Sequence, residues 1–399
     1  MEREPRMDVL ISAMAAACRP IENTHSSRRR MRSEWRLSSA PSAAHPAHDV
    51  NECAVKCHCH CQWHTARDMS AVRLCCALWR RGPSLARSLR TPSLTARCSM
   101  SSAEQPAAAA AAAAYVAEER GAPYSPDYRV YFRDAGGPIS PLHDIPLWAD
   151  RGARLAHMVV EVPRWTNAKM EISLGEPLNP IKQDVKKGAL RYVANVFPHR
   201  GYIWNYGALP QTWEDPRHVD ADTGARGDND PIDVLEIGSR VARRGDVLVV
   251  KLLGALALID EGETDWKLLA IDARDPAAPA LRGPRDVEAH FPGLLRATVE
   301  WFRLYKVPDG KPPNVFAFDG EAKDEDFALR VVDEVHESWR ALQRGEAGAD
   351  ICATNVSVEG SAARVERSEA ARTLAAQPPA AQPLPLPPHV DKWHFVSNL

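Results

Sequence analysis

The sequence predicts a mainly β fold, in which short strands close into a small barrel and helices pack outside it. Three observations lead there. Strand signals crowd into the first two thirds of the region from Tyr128 to Arg344, they are short and bounded by turn residues, and helical periodicity appears only after them. The predicted organisation is a disordered leader over residues 1–124, one domain over 125–345, and a flexible C-terminal extension over 346–399 that ends in a short aromatic tail.

Taken in order, Met158–Val162 is apolar and β-branched, and Pro163 ends it. Lys169–Ser173 alternates, with Lys169 and Glu171 on one face and Met170 and Ile172 on the other. Val247–Ile259 is too short for the roughly 18 apolar residues that span a bilayer, and it carries Lys251, so it reads as a buried strand. The turn Asp260–Asp265 joins it to Trp266–Ile271 as a hairpin. Leu294–Leu304 carries an apolar stripe, and Asp324–Leu342 repeats at helical spacing through Phe327, Val331, Val335 and Trp339.

The flanks read differently. The chain has 399 residues and a formal net charge of −2, but residues 1–100 hold 16 Lys and Arg against 8 Asp and Glu. The remainder holds 34 against 44, so the −2 is +8 followed by −10. An acidic main domain argues against nucleic acid as a partner. Eight of the nine cysteines lie at or before Cys98, which excludes a disulfide framework for the domain. Residues 69–100 are Arg- and Ser-rich and free of Asp and Glu, the composition of a mitochondrial or plastid transit peptide; a product starting at Met100 would be cytoplasmic. The Cys57-His-Cys-His-Cys61 run lacks the spacing and the distant second pair of a zinc site. Residues 107–114 are eight alanines, a spacer, and residues 371–389 form an Ala- and Pro-rich linker leading to Asp391–Phe395.

The densest chemical feature is Gly227-Asp-Asn-Asp-Pro-Ile-Asp233. Three carboxylates within six residues repel one another unless a cation balances them, and hard oxygen ligands suit Mg²⁺ or Mn²⁺. A solvated acidic loop or a calcium-stabilised turn fits the same residues. Asp260 and Asp265, with Lys267 beyond them, form a second acidic group in the hairpin turn. Glu161 lies on an apolar strand, either at its exposed side or as an interior ligand, and Lys169 with Glu171 reads as an ion pair or as part of a site. Arg191, Tyr206, Tyr305 and Lys306 are candidates to hold anionic oxygens. There is no Gly-x-Ser-x-Gly elbow and no P-loop.

Five blocks in order, VEVPRWTNAKMEI (160–172), KKGALRYVANVFPHRGYIWNYGALPQTWEDP (186–216), GDNDPIDVLEIG (227–238), DEGETDWKLLAID (260–272) and WFRLYKVPDGKPPNVFAF (301–318), make the chain resemble the soluble family I inorganic pyrophosphatases of eukaryotic type. The resemblance covers roughly residues 125–345. It implies a five-stranded OB-like barrel with flanking helices, and Mg²⁺-dependent hydrolysis of pyrophosphate through a water bridging two ions. It also implies roles: Asp228, Asp233, Asp265, Asp260, Glu171 and Glu161 around several metal ions, and Asp230 as general base. Lys169, Arg191, Tyr305 and Lys306 would bind phosphate, with Tyr206 and Lys267 lining the same site. It implies a homodimer, with Arg164, Trp165, Arg200 and Trp204 as its surface. A catalytically inactive phosphate-binding or scaffold protein is the alternative, and it would require a carboxylate to be missing from the set.

Overall fold

The computed structural model describes residues 114–347 and 350–397. The candidate transit peptide, the Cys57–Cys61 run and nearly all of the alanine spacer lie outside the described residues. The principal strands are β1 (Val116–Arg120), β2 (Arg129–Asp134), β3 (Leu155–Val162), β4 (Met170–Ile172), β5 (Ile181–Gln183), β6 (Asn195–Val196), β7 (Asn205–Ala208), β8 (Asp233–Glu236), β9 (Val247–Asp260), β10 (Glu263–Asp272) and β11 (Trp393–His394). The α-helices are α1 (Pro284–His290), α2 (Leu294–Leu304), α3 (Glu325–Gln343) and α4 (Arg367–Ala375). The mainly β reading with few, late helices holds. The first strand among the described residues, β1, lies before the expected domain start at residue 125.

Five strands pair in a ring. β3 pairs with β7, β7 with β8 and β9 with β3, all antiparallel; β8 pairs with β10 in parallel, and the antiparallel β9–β10 hairpin closes the circuit. The hairpin is the predicted one, with its reversal at Glu261-Gly262. Its apolar run is continuous because both faces are covered. Leu253, Leu256, Leu258, Leu269 and Ile271 join one core with Trp301 and Phe302 of α2. Leu252, Ala255, Leu268 and Ala270 join a second with Val331, Val332 and Val335 of α3. The Asp324 side chain caps α3 by accepting from the Phe327 N–H at 3.0 Å, which sets the helix start at the predicted residue. A smaller sheet, β1-β2-β5-β4, stands beside the ring and carries Lys169 and Glu171 at its β4 end.

Residues 350–397, expected as a flexible extension, are packed onto the domain. Ala370 and Leu374, four apart on α4, are buried, and Arg367 makes two hydrogen bonds to the Asp134 carboxylate at 2.7 and 2.9 Å. The proline-rich stretch stays extended, but it is pinned where the Leu384 N–H donates to the Pro123 carbonyl and where the Asn195 amide donates to the Val390 carbonyl, each at 2.9 Å. The chain then adds β11 to β6 in parallel. Composition registered the extended backbone there, not the partners that hold it.

Trp204, expected at a subunit surface, is instead fully buried. Its indole N–H donates to the Thr298 hydroxyl at 3.0 Å, and its ring stacks on Phe302. The remaining members of that group, Arg164, Trp165 and Arg200, stay at or near the surface.

Candidate active site

One mouth of the ring opens into a cleft of about 260 Å³. β3 contributes Glu161, and the β4 segment contributes Lys169 and Glu171. β7 contributes Tyr206 and the start of β8 Asp233; the end of β9 contributes Asp260, and β10 contributes Asp265 and Lys267. Tyr305 and Lys306 follow the C-terminus of α2. All thirteen site residues predicted from sequence line this cleft.

The acidic loop is shaped by its backbone. Gly227 passes so close to Glu214 that a Cβ there would lie 2.5 Å from the Glu214 carbonyl. Asn229 takes a positive φ of 76°, and its side chain accepts from the Trp213 indole N–H at 3.1 Å. The Asn229 N–H donates to the Glu214 carbonyl and the Glu214 N–H to the Asp230 carbonyl, both at 2.9 Å. These clips turn the Asp228 and Asp230 side chains into the cleft, and the Asp230 N–H donates to Asp228 Oδ1 at 3.0 Å. On β7, Gly207 lets the strand meet β3; a Cβ there would overlap the Val159 carbonyl at 1.9 Å. That close approach seats Tyr206 beside Asp233.

The floor is crowded with acids. Lys267, buried between them, donates to both Asp233 and Asp265, and the Tyr206 hydroxyl also donates to Asp233. Glu161 is buried and accepts from the Ile172 N–H at 2.7 Å. Desolvation and then mutual repulsion push five of the acids in and beside this floor up: Glu161, Glu214, Asp228, Asp230 and Asp265. Asp265 rises to about 7, against the pull of Lys267. Asp230, whose side chain opens onto the cleft while its walls crowd round it, rises to about 6 against the pull of Lys169. Glu161, Asp228 and Glu214 are raised for the same reasons. Burial works against the Lys267 ammonium, but Asp233 and Asp265 hold its pKa above the usual lysine value.

The walls are cationic, and each cation has an acid partner. Lys169 lies 2.5 Å from Glu171 and 3.8 Å from Asp184, and Arg191 lies 2.9 Å from Asp184. Lys306 bonds both oxygens of Asp260 at 2.5 and 2.6 Å, and the Tyr305 hydroxyl donates to the same carboxylate at 3.1 Å. Burial disfavours the Asp184 anion, yet Lys169 and Arg191 hold its carboxyl below the usual range.

Sequence reasoning missed three members of this neighbourhood. Glu214 sits within the quoted TWEDP block but shows no periodic signal. It is buried, one oxygen accepts from the Trp266 N–H at 3.0 Å, and the other has no partner. Its ligand atom and those of Asp228 and Asp265 lie within 4.8 Å of one another. An orphaned carboxylate oxygen facing two more acids, with oxygen as the donor atom throughout, fits a hard divalent cation. Asp184 is missed because only the third dimension brings it to Lys169 and Arg191. Tyr202, which carries no charge pattern to mark it, is buried and also lines the cleft; burial lifts its phenol to about 12.

A family model described as inorganic pyrophosphatase matches residues 158–340. The inorganic pyrophosphatase of Drosophila melanogaster is 57% identical over 284 residues, covering 71% of this chain and 84% of that protein. The chain belongs to the inorganic pyrophosphatase family. The Homo sapiens member is 55% identical over 289 residues, covering 71% of this chain and 99% of its own. Among solved structures of the family, the pyrophosphatase of Schistosoma japonicum superposes with a TM-score of 0.67 at 49% identity, over 70% of this chain and all of that one. A Trypanosoma cruzi vacuolar soluble pyrophosphatase truncated of its N-terminal domain and in complex with PPi superposes with a TM-score of 0.54 at 44% identity, over 58% of this chain and 91% of that one.

Proposed function

We propose that this protein hydrolyses inorganic pyrophosphate to two phosphates, with Mg²⁺ as cofactor and Asp230 as general base. The observation that carries this reading is the convergence of all the predicted acids and cations on one cleft, with acids massed on the floor around Lys267 and acid-paired cations on the walls. The inactive alternative needs a missing carboxylate, and none is missing.

Asp228, Asp233, Asp265, Asp260, Glu171 and Glu161, with Glu214 beside them, are the residues that would hold the cations. Bound there, divalent ions would offset the floor's charge against a polyanionic substrate and lower the pKa of their water from about 15.7 towards about 7. Asp230 is suited to take that water's proton, because its carboxylate opens onto the cleft and makes no side-chain hydrogen bond or ion pair among the described residues. Tyr206 and Lys267 both donate to Asp233 and so fix the carboxylate's orientation. Lys169, Arg191, Tyr305 and Lys306 would donate to phosphate oxygens and favour the charge that grows on the leaving phosphate. No side-chain nucleophile is needed for this chemistry. Phosphate release from pyrophosphate with Mg²⁺, measured beside Asp230→Ala, tests the reading; an inert wild type or an equally fast variant would overturn it.

Three finer parts of the proposal have their own support. The closed pairing of five strands is the ground for describing the core as an OB-like barrel. Exposed Trp165, Phe197 and Phe395, at 57, 58 and 78% of full exposure, support a homodimer, which sedimentation velocity would detect. For location, a fluorescent fusion of residues 69–125 should enter a mitochondrion or plastid, and diffuse cytosolic signal would refute that. No described helix is long and apolar enough to cross a membrane.

A further inference from the structure

We infer that Asp184 is a positioning residue for the phosphate-binding cations Lys169 and Arg191, an inference that rests on the pyrophosphatase reading. Asp184 follows β5 and does not itself line the cleft. Its Oδ2 accepts from Arg191 at 2.9 Å and lies 3.8 Å from the Lys169 ammonium, so one oxygen spaces the two cations. The main chain ties the same three residues together. The Asp184 N–H donates to the Lys169 carbonyl at 2.9 Å, the Arg191 N–H to the Asp184 carbonyl at 2.8 Å, and the Lys169 N–H to the Arg191 carbonyl at 3.1 Å. The Gln183 amide braces this triangle by donating to the Arg191 carbonyl at 2.7 Å.

The other anion near Lys169 is Glu171, which does line the cleft and so faces the same cations and substrate that the lysine does. Asp184 stands behind both cations, where no ligand in the cleft competes for it. Among the described residues, Asp184 is the side-chain partner of the Arg191 guanidinium and engages NH1, leaving Nε and NH2 for a bound phosphate. Lys and Arg side chains are long and rotamer-rich, and a fixed anion behind them holds them pointed at the ligand before it arrives.

The test is a double-mutant cycle on the full chain, titrating imidodiphosphate, a non-hydrolysable pyrophosphate analogue, at constant saturating Mg²⁺ by calorimetry. Asp184→Ala should weaken binding about tenfold in the wild-type background but about twofold or less in an Arg191→Ala background, because coupled neighbours are non-additive. Asp184→Asn keeps an acceptor for Arg191 and should lose less than Asp184→Ala; it serves as the test if Asp184→Ala does not fold. Unchanged affinity, or the same loss in both backgrounds, would overturn the inference, because a merely structural role acts independently of Arg191. A wild type that hydrolyses pyrophosphate while the variants match it in affinity sinks this inference alone. A wild type that neither binds the analogue nor hydrolyses pyrophosphate sinks the functional reading and takes this inference with it.

Discussion

The floor and the walls of the cleft are built on opposite electrostatic plans. Along the walls every cation has its own acid: Lys169 with Glu171, Arg191 with Asp184, Lys306 with Asp260. On the floor, Glu161, Glu214, Asp228, Asp230, Asp233 and Asp265 share one buried lysine, Lys267. The walls are therefore self-sufficient, whereas the floor is short of positive charge, and burial with mutual repulsion raises the carboxyls of Glu161, Glu214, Asp228, Asp230 and Asp265 above their usual range. The difference teaches which part of the cleft calls for a cation and which for an anion. A cation is needed on the floor, and on the walls Lys169 and Lys306 are placed to exchange Glu171 and Asp260 for a phosphate oxygen while Asp184 keeps its hold on Arg191.

The largest effect should come from Asp230→Asn, which keeps the shape but removes the proton acceptor. The kcat for pyrophosphate should fall by about 10²–10⁴ with Mg²⁺ still bound, measured by phosphate release and metal titration together. Next is Lys267→Met, which strips the floor of its one cation. In chelator the variant should lose about 3–5 kcal/mol in urea unfolding, since it leaves Asp233 and Asp265 buried without a counter-charge, and added Mg²⁺ should recover much of the loss.

A third test separates the two regions by pH. Asp230 and Asp265 titrate near 6 and 7 and are protonated below those values, so a cation must displace their protons. Apparent Mg²⁺ affinity should therefore rise between pH 5.5 and 8, with proton release seen by calorimetry in buffers of different ionisation enthalpy. Asp184, behind the wall, is shifted the other way and contributes nothing across that window. The smallest effect belongs outside the cleft, where Lys182 pairs with Glu176 at 3.3 Å in a partly exposed site. Lys182→Ala should change stability by less than about 1 kcal/mol in the same urea assay. A large effect there would mean that the contrast between cleft and surface is overdrawn.

Local pattern made much of the protein legible. The Asp-x-Asp-Pro-x-Asp loop declared itself by charge density, the β9–β10 hairpin by an apolar run broken at Asp260–Asp265, and α2 and α3 by period. Each is a property of neighbours in the chain. The seams of the molecule were not legible. Glu214 meets Trp266 across 52 residues, Arg367 meets Asp134 across 233, and Trp204 turns inward to Thr298 across 94.

By itself, then, the sequence determined the thirteen candidate side chains that meet in the cleft, because acids and bases announce themselves by type and spacing. Only the tertiary structure decided which acid is left without a counter-charge, which cation is held from behind and which tail is docked. Burial and pairing are relations between distant segments, and they exist only once the chain has closed its ring.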